Sequence, residues 1–172
     1  MCSSDLFDND LNAEFHRRVT GPNIARATEG ALDAIVVGVG SGGTITGVGG
    51  WLKKKKPSVQ VAAVEPASSA VLSGKPAGAH GLQGIGAGFV PGVLDTGIYD
   101  EVIPVKEEDA YGAGRRLAAQ EGILAGISSG AALYAAELLA KRPENRGKMV
   151  VVLLPDSGDR YLSTPLFEVQ EK

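Results

Sequence analysis

The sequence of 172 residues is 44% hydrophobic, carries a net charge of −3 and contains 24 glycines, one cysteine and two histidines. Its apolar content argues against disorder, and its mixed charge without a basic stripe argues against nucleic acid as a partner. The few cysteines and histidines argue against disulfides and a metal site, and no apolar run approaches the ~20 residues that span a bilayer, so we expect a cytoplasmic domain.

The first half of the chain alternates predicted helices and strands. Thr20-Gly21-Pro22 is typical of a helix start with Pro22 at the first helical position. Asp33–Val39 and Val59–Val64 are nearly continuous apolar runs, as in strands that are buried on both faces of a parallel sheet. Between them, Thr44–Leu52 repeats apolar residues at helical spacing, which predicts a helix between the two strands.

The second half continues this alternation after a long glycine-rich stretch, Gly74–Gly97, which we expect to be an ordered, functional loop. Glu101–Val105 is a short candidate strand. Glu107–Glu121 has acidic residues in its first turn and apolar residues along one face, which predicts a helix. Gly122 follows at the position where a glycine commonly ends a helix.

Two apolar segments complete the pattern. Gly130–Ala140 is apolar almost all round and predicts a buried helix, and Met149–Leu154 predicts a last buried strand. The alternation of strands and helices along the whole chain predicts an α/β fold, with a mostly parallel sheet flanked by helices.

The segment Gly38–Thr44 (GVGSGGT) follows a predicted strand and opens a predicted helix. Its backbone N–H groups and the positive end of the helix dipole would bind an anion, with Ser41 and Thr44 as hydroxyl donors. Glycines inside the same helix lower its intrinsic stability, so we expect the sheet or a ligand to lie close to it. These glycines are Gly47, Gly49 and Gly50.

This loop is compatible with two kinds of ligand. Gly38, Gly40 and Gly43 satisfy the G-x-G-x-x-G pattern. Glu65 ends the next strand, where a dinucleotide-binding fold places the acid that binds the ribose. A lone pattern of this kind also fits a simple phosphate site, so the pattern leaves a dinucleotide-binding oxidoreductase domain and a smaller phosphate ligand both open.

A second loop, Gly122–Ala132 (GILAGISSGAA), places two serines before the predicted buried helix. Serine is a common N-cap residue, so we expect Ser128 or Ser129 to cap this helix. The other serine would then be available for a different role.

The chain carries a series of motifs in order: FDND, FH followed by Thr20-Gly21-Pro22, GSGGTITGV, AVEP, QGIGAGF, EGILAGISSGAA and PDSGDRYLST. From Phe7 to its end it thereby resembles the cysteine synthase (O-acetylserine sulfhydrylase) family of fold-type II pyridoxal-phosphate enzymes. The resemblance implies a tryptophan-synthase-β-like fold and pyridoxal 5′-phosphate as the cofactor.

The resemblance also implies roles for individual residues. The loop that binds the cofactor phosphate corresponds to Gly40, Ser41, Gly42, Gly43 and Thr44. The loop that lines the substrate side of the pocket corresponds to Gln83, Gly84, Ile85 and Gly86. Ser128 matches the serine that hydrogen-bonds the pyridine nitrogen. Asp156 lies in the motif expected near the cofactor ring, but it departs from the smaller residue of the family.

The reaction implied by the resemblance is the transfer that joins O-acetyl-L-serine and sulfide to give L-cysteine and acetate. The complete enzyme would be a homodimer, and family members bind the C-terminal tail of serine acetyltransferase in the active-site cleft. The Schiff-base lysine and a Ser/Thr-Asn loop for the substrate carboxylate lie in the N-terminal half of family members and have no match here. We therefore expect no catalytic residue in this chain and no activity of the chain alone.

The resemblance divides the chain at Phe7. Residues 1–6 fit nothing in the family, and Cys2–Leu6 is what one reading frame of a common sequencing-adapter end would encode. We expect residues 1–6 to be a non-native segment and residues 7–172 to be the C-terminal portion of the enzyme. A non-catalytic half that binds a phosphate ligand or a partner is the alternative.

Two other polar features are interpreted as structural. Lys53–Lys56 lies at a predicted helix end, where cations favour the helix dipole, and is predicted to be a solvated face. None of these lysines resembles the Schiff-base lysine. His80 lies in the glycine-rich stretch and is predicted to be a surface histidine.

Overall fold

The computed structural model describes residues 6–167, so the predicted non-native segment 1–6 lies outside the described residues except for Leu6. The α-helices are α1 (Asp10–Phe15), α2 (Gly21–Ala27), α3 (Gly43–Lys55), α4 (Glu107–Glu121) and α5 (Ile127–Ala140). The strands are β1 (Ala34–Gly38), β2 (Gln60–Pro66), β3 (Glu101–Val105) and β4 (Val150–Val152).

The strands form one parallel sheet in the order β3-β2-β1-β4, which confirms the predicted α/β fold. In the central pair, Ala34 lies opposite Gln60 and Gly38 lies opposite Val64. Because the two strands run in the same direction, their carboxyl ends meet at one edge of the sheet. In parallel sheets this edge is where ligands bind, and the first glycine loop begins there at Gly38.

Helices cover both faces of the sheet. On one face, α4 and α5 pack against residues such as Val36 and Val64. On the other face, α3 packs against the residues of β1 that point the opposite way, Ile35 and Val37. Successive side chains of β1 are therefore buried on opposite faces, which explains why its sequence is apolar throughout.

Most predicted elements are confirmed, and β3 and α4 have the predicted bounds. Gly122 ends α4 in the left-handed conformation, with φ +70°, as its position predicted. The bounds of β1, β2 and α3 differ from prediction by one to three residues. The last two elements differ in a way that matters for the fold. The last helix begins at Ile127 rather than Gly130, and the last strand is limited to Val150–Val152, whose residues are only half-buried. Within the described residues this strand has a neighbour on one side only.

The predicted helix start is confirmed in position, because α2 begins at Gly21 with Pro22 in its first turn, but the helix does not start there from an extended chain. Thr20 has right-handed helical dihedral angles, and a π-helical segment, His16–Thr20, joins α1 to α2 without a break. The Gly21 N–H donates to the His16 carbonyl oxygen, which is the wider hydrogen-bond spacing of a π-helix. Pro22, which has no N–H to donate, lies in the first turn of α2, so the helical course continues past the proline.

The glycines of α3 allow other segments to approach it. A Cβ at Gly47 would collide with the Ala13 carbonyl oxygen and would lie 2.7 Å from the His16 Cβ. A Cβ at Gly49 would lie 2.9 Å from a side chain of the long loop, whereas the nearest atom to one at Gly50 is 3.9 Å away. The close neighbours of Gly47 and Gly49 are therefore protein segments.

Residues 70–100 connect the second strand to the third without a helix or strand of their own, which confirms the predicted long loop over Gly74–Gly97. Hydrogen bonds hold this loop to the fold: the Asp95 N–H donates to the Thr46 hydroxyl at 2.9 Å, and the Asp100 carboxylate accepts the Val61 N–H at 2.7 Å.

Among residues 6–167, no helix is both long and apolar enough to cross a membrane. The same residues contain no group of three or more His, Cys, Asp or Glu side chains placed to hold a metal ion.

We expect Gly47→Ala to lower the free energy of unfolding by about 1–3 kcal/mol, because the added methyl group must displace the backbone of α1. Gly50→Ala is the matched control: the same change in the same helix makes only ordinary van der Waals contacts and should raise stability by about 0.5–1 kcal/mol. Urea unfolding followed by circular dichroism measures both values. Equal stability of the two variants would contradict the close packing of α1 on α3.

Candidate functional site

The first glycine loop turns sharply between β1 and α3. Gly42 has φ +84°, in the left-handed region that favours glycine, and α3 begins at the next residue. The N-cap residue Gly42 has no side chain, and within residues 6–167 the only side-chain hydrogen bond to an amide of the first turn of α3 is the long one from the Gly43 N–H to the Ser41 Oγ, at 3.5 Å. The next amides of this turn remain available to an anion, together with the positive end of the helix dipole.

The loop Gln83–Gly86 lies directly against the first glycine loop. A Cβ at Gly40 would lie only 2.5 Å from the Gly84 carbonyl oxygen, and the Gly86 N–H donates to the Val39 carbonyl oxygen at 2.9 Å. Gly84 and Gly86 have φ values of +94° and +70°, which other residues rarely adopt. The two loops can meet only because glycine occupies these positions.

Two adjoining cavities open beside these loops. A cavity of about 140 Å³ has the hydroxyl residues Ser41 and Thr44 in its lining. A larger cavity, of about 360 Å³, shares part of this lining and adds apolar side chains, including Phe7. The first cavity suits an anionic group, and the second suits an organic ring or carbon chain.

Most of the predicted site residues come together at the smaller cavity. Those that line it are Gly40, Ser41, Gly42, Thr44, Gly84 and Ile85. Gly43 instead faces the side chain of Asn12, and Gly86 packs against Pro66. Gln83 is exposed at the outer end of its loop.

The predicted serine N-cap of α5 is wrong. Gly126 is the N-cap, and both serines lie in the first turn of the helix. A Cβ at Gly126 would collide with the Asp156 carboxylate, so no serine fits at that position. The Ser129 hydroxyl donates to this carboxylate at 3.2 Å.

Ser128 is the serine that remains available. It is 4% exposed, and its hydroxyl makes no hydrogen bond to any of residues 6–167. A Cβ at Gly84 would lie 3.5 Å from the Ser128 Oγ, so this hydroxyl lies beside the loop that covers the cleft. A hydroxyl that makes no hydrogen bond to these residues is free to bond a ligand.

Asp156 fixes the start of α5. Its carboxylate accepts the Tyr161 hydroxyl at 2.5 Å, and its backbone oxygen accepts the Gly126 N–H at 3.2 Å. The hydrogen bond to this carboxylate, together with burial, raises the pKa of Tyr161 to about 12. Asp156 therefore holds in place the first turn of α5, which carries Ser128.

Glu65 is occupied by its own chain. The side chain is 2% exposed, and its carboxylate accepts the Leu72 N–H at 2.7 Å and both the N–H and the hydroxyl of Ser73. These bonds hold the long loop to the end of β2. A carboxylate engaged in this way is not free to bind a ribose, which argues against the dinucleotide interpretation.

His80 is not the surface histidine that its loop predicted. It is half-buried, and its Nε2 donates to the Gly86 carbonyl oxygen at 2.9 Å. Its Nδ1 is buried without a partner among the described residues. At the other end of the same loop, Glu107 accepts the Gly81 N–H at 2.5 Å. Both ends of the loop over the cleft are thus held by side chains.

The lysines at the end of α3 are also more than a solvated face. Lys53 pairs with Asp100 at 2.7 Å, and Lys56 pairs with Asp33 at 3.0 Å. These partly exposed pairs join the end of the helix to segments beside the strands, far from the first glycine loop, and such pairs contribute little to stability.

Two residues to which the sequence analysis assigned no site role contact the first glycine loop. The Asn12 Nδ2 donates to the Ser41 Oγ at 2.9 Å, and the His16 Nε2 lies 3.1 Å from the Thr44 Oγ1. Burial lowers the pKa of His16, so the imidazole is neutral at pH 7. The spacing of four residues, which places two side chains on one face of a helix, was the available signal.

Comparison with known proteins gives a consistent result. Residues 3–156 match the family model described as pyridoxal-phosphate dependent enzyme. A cysteine synthase of Staphylococcus aureus (strain N315) is 52% identical over 166 residues, which are 96% of this chain and 53% of the relative. The chain thus spans about half the length of the curated relatives it matches.

Solved structures agree in fold. The crystal structure of O-acetyl serine sulfhydrylase isoform 3 from Entamoeba histolytica matches with a TM-score of 0.95 and 48% identity, over 98% of this chain and 50% of that chain. The crystal structure of O-ureido-L-serine synthase matches with a TM-score of 0.91 and 42% identity, over 98% of this chain and 54% of that chain.

We expect the Tyr161 phenol to ionise last among the tyrosines, near pH 12, in an absorbance titration. Because its folded-state pKa is raised, its bond to Asp156 stabilises the fold fully below the ordinary pKa of 10.0, and this contribution is lost as the pH rises through about 12. Tyr161→Phe should remove the last step, and Asp156→Asn should move it toward lower pH. A last step that persists in Tyr161→Phe would contradict this assignment.

Proposed function

Because the chain belongs to the pyridoxal-phosphate dependent enzyme family, we propose that it is the C-terminal part of a cysteine synthase that uses pyridoxal 5′-phosphate. In this proposal residues 7–172 are the cofactor-binding part, and residues 1–6 are not native to the protein. The observation that carries the proposal is that the first glycine loop and the loop Gln83–Gly86 line one cavity, with the Ser128 hydroxyl beside Gly84 of the second loop.

The cofactor phosphate is held by the loop Gly40–Thr44. The donors are the first amides of α3 and the hydroxyls of Ser41 and Thr44, supported by the helix dipole. This donor set fits a phosphate monoester, because none of the described residues that line the smaller cavity is acidic. Gly42, with φ +84°, turns the loop so that the helix begins directly at the cavity.

Ser128 binds the pyridine nitrogen of the cofactor. A hydroxyl is neutral and, unlike a carboxylate, does not keep a proton on that nitrogen. When bound, the cofactor withdraws electrons from the α-carbon of the substrate, and a hydroxyl partner makes this withdrawal weaker than a carboxylate would. Ser128 thereby suits a reaction in which a β-leaving group departs promptly.

The substrates in this proposal are O-acetyl-L-serine and sulfide, and the products are L-cysteine and acetate. The substrate side of the cleft is formed by the loop Gln83–Gly86, whose Gly84 and Ile85 line the cavity. His80 and Glu107 hold this loop at its two ends, which fixes its backbone without placing a charge in the cleft.

The residues that move protons at the substrate belong to the rest of the protein. Neither the Schiff-base lysine and general base nor the Ser/Thr-Asn loop that binds the substrate carboxylate has a counterpart in residues 7–172. The part of the protein described by these residues therefore binds and orients the cofactor, and the chain alone is inactive. The complete enzyme is a cytoplasmic homodimer whose cleft also accepts the C-terminal tail of serine acetyltransferase.

Pyridoxine 5′-phosphate, which has no aldehyde to react with surface lysines, should bind the chain, and inorganic phosphate should compete with it. Thr44→Val should weaken binding about tenfold, because a hydrogen bond to a charged group is lost. Lys54→Ala, an exposed change in the same helix, is the matched control and should leave the affinity within about twofold. Isothermal titration calorimetry measures the affinity of the wild-type chain and of the two variants. Competition by NADH but not by phosphate would contradict the proposal.

The chain mixed with pyridoxal 5′-phosphate, O-acetyl-L-serine and sulfide should form no L-cysteine above the rate of the cofactor in buffer. The physical reason is the missing lysine, without which no group of this chain takes the α-proton. Chromatographic detection of cysteine checks this expectation. Turnover by the chain alone would show that the base lies within residues 7–172.

A further inference from the structure

The first glycine loop is contacted by two side chains that lie one helical turn apart, Asn12 and His16. We propose that Asn12 and His16 are positioning residues that direct the hydroxyl protons of Ser41 and Thr44 toward the bound phosphate. This inference rests on the proposed function, because it takes a phosphate as the ligand of the loop.

Two glycines of α3 make room for these side chains. A Cβ at Gly43 would collide with the side-chain amide of Asn12, and a Cβ at Gly47 would lie 2.7 Å from the His16 Cβ. The helical segment therefore lies close enough to α3 for short polar side chains to reach the loop.

Asn12 determines the direction of the Ser41 hydroxyl. Its Nδ2 donates to the Leu6 carbonyl oxygen at 3.1 Å and to the Ser41 Oγ at 2.9 Å. A backbone carbonyl only accepts, so the contact with residue 6, whatever its side chain, identifies the amide nitrogen. The Gly43 N–H also points at the Ser41 Oγ, at 3.5 Å. Because donors face the Ser41 oxygen from the protein side, its own proton is left for an acceptor in the cavity.

His16 acts on Thr44 in the same way. The His16 Nδ1 lies 2.9 Å from the Thr20 Oγ1, and its Nε2 lies 3.1 Å from the Thr44 Oγ1. A neutral imidazole has one donor and one acceptor nitrogen. Thr44 can give its proton to a phosphate only if Nε2 carries the ring hydrogen and Nδ1 accepts from Thr20. We therefore assign the Nε2–H tautomer.

The π-helical segment His16–Thr20 contains both His16 and the Thr20 hydroxyl that contacts its ring. It places the Thr20 hydroxyl beside one ring nitrogen of His16 while the other nitrogen faces α3. Such segments are rare and frequently occur at functional sites. Here the segment sets one direction for three successive hydrogen bonds, from Thr20 to His16, from His16 to Thr44 and from Thr44 to the phosphate.

The first test needs no variant. Nitrogen-15 NMR of the histidine rings in the wild-type chain, with pyridoxine 5′-phosphate added, reports which ring nitrogen of His16 carries the hydrogen. We expect the Nε2–H form in the bound state. A bound state with hydrogen on Nδ1 would overturn the assignment for His16, because Thr44 would then donate to the ring rather than to the ligand.

The second test is a set of His16 variants titrated with pyridoxine 5′-phosphate. His16→Phe keeps the ring shape without either nitrogen and should weaken binding about tenfold. His16→Gln retains an N–H near the position of Nε2 and should restore most of the affinity. In a Thr44→Val background, His16→Phe should have no further effect. An equal loss in both backgrounds would show that His16 supports only the fold.

The role of Asn12 is tested at the Ser41 hydroxyl by comparing Asn12→Leu in the wild-type chain with Asn12→Leu in the Ser41→Ala variant. In the wild-type background, Asn12→Leu should weaken binding about tenfold. In the Ser41→Ala background, adding Asn12→Leu should change the affinity by no more than about twofold. Asn9→Ala is the control for the helix itself: Asn9 caps α1 but does not touch the loop, so its removal should leave the affinity unchanged.

These outcomes separate the inference from the proposed function. The wild-type chain could bind pyridoxine 5′-phosphate while His16→Phe and Asn12→Leu cost as much affinity without the Thr44 or Ser41 hydroxyl as with it. The positioning roles would then be wrong, and the proposed function would stand. If the wild-type chain does not bind the compound, both fall. An unfolding curve of each variant shows whether it is folded, and affinities are compared only among the folded variants.

Discussion

The site depends on backbone segments that meet where no Cβ fits. Gly40 lies against the Gly84 carbonyl oxygen, and the N-terminal helical segment lies against α3 at Gly43 and Gly47. These contacts bring the two loops together at one small cavity and place the N-terminal helical segment against the first glycine loop. They also explain how α3 tolerates so many glycines: packing on two sides of the helix offsets its low intrinsic propensity.

The polar groups around the cleft are of two kinds: those that already have hydrogen-bond partners within the protein and those that do not. The carboxylates of Glu65 and Asp156 accept hydrogen bonds from their own chain, and each holds a loop or a helix turn in place. The Ser128 hydroxyl has no such partner within residues 6–167, and the hydroxyl protons of Ser41 and Thr44 face the cavity in the arrangement we propose. The satisfied carboxylates therefore shape the cleft, and in our proposal the hydroxyls of Ser41, Thr44 and Ser128 are the groups that meet the ligand.

The sequence predicted the α/β fold because apolar strands and helical periodicity are local signals, and β3 and α4 matched the predicted bounds. It misjudged the serine cap and did not predict the π-helical segment before Gly21, because contacts that local patterns do not report decide both positions. Asn12 and His16 were missed for a similar reason: their partners lie 29 and 28 residues away.

In our proposal the chain is the C-terminal part of a cysteine synthase whose catalytic base lies elsewhere in the protein. The relatives it matches are about twice as long. The most direct test is the DNA sequence upstream of the Phe7 codon in the source organism. The account predicts that the open reading frame continues for about as many residues again and encodes a lysine and a Ser/Thr-Asn loop. A native frame that begins at Met1 would contradict it.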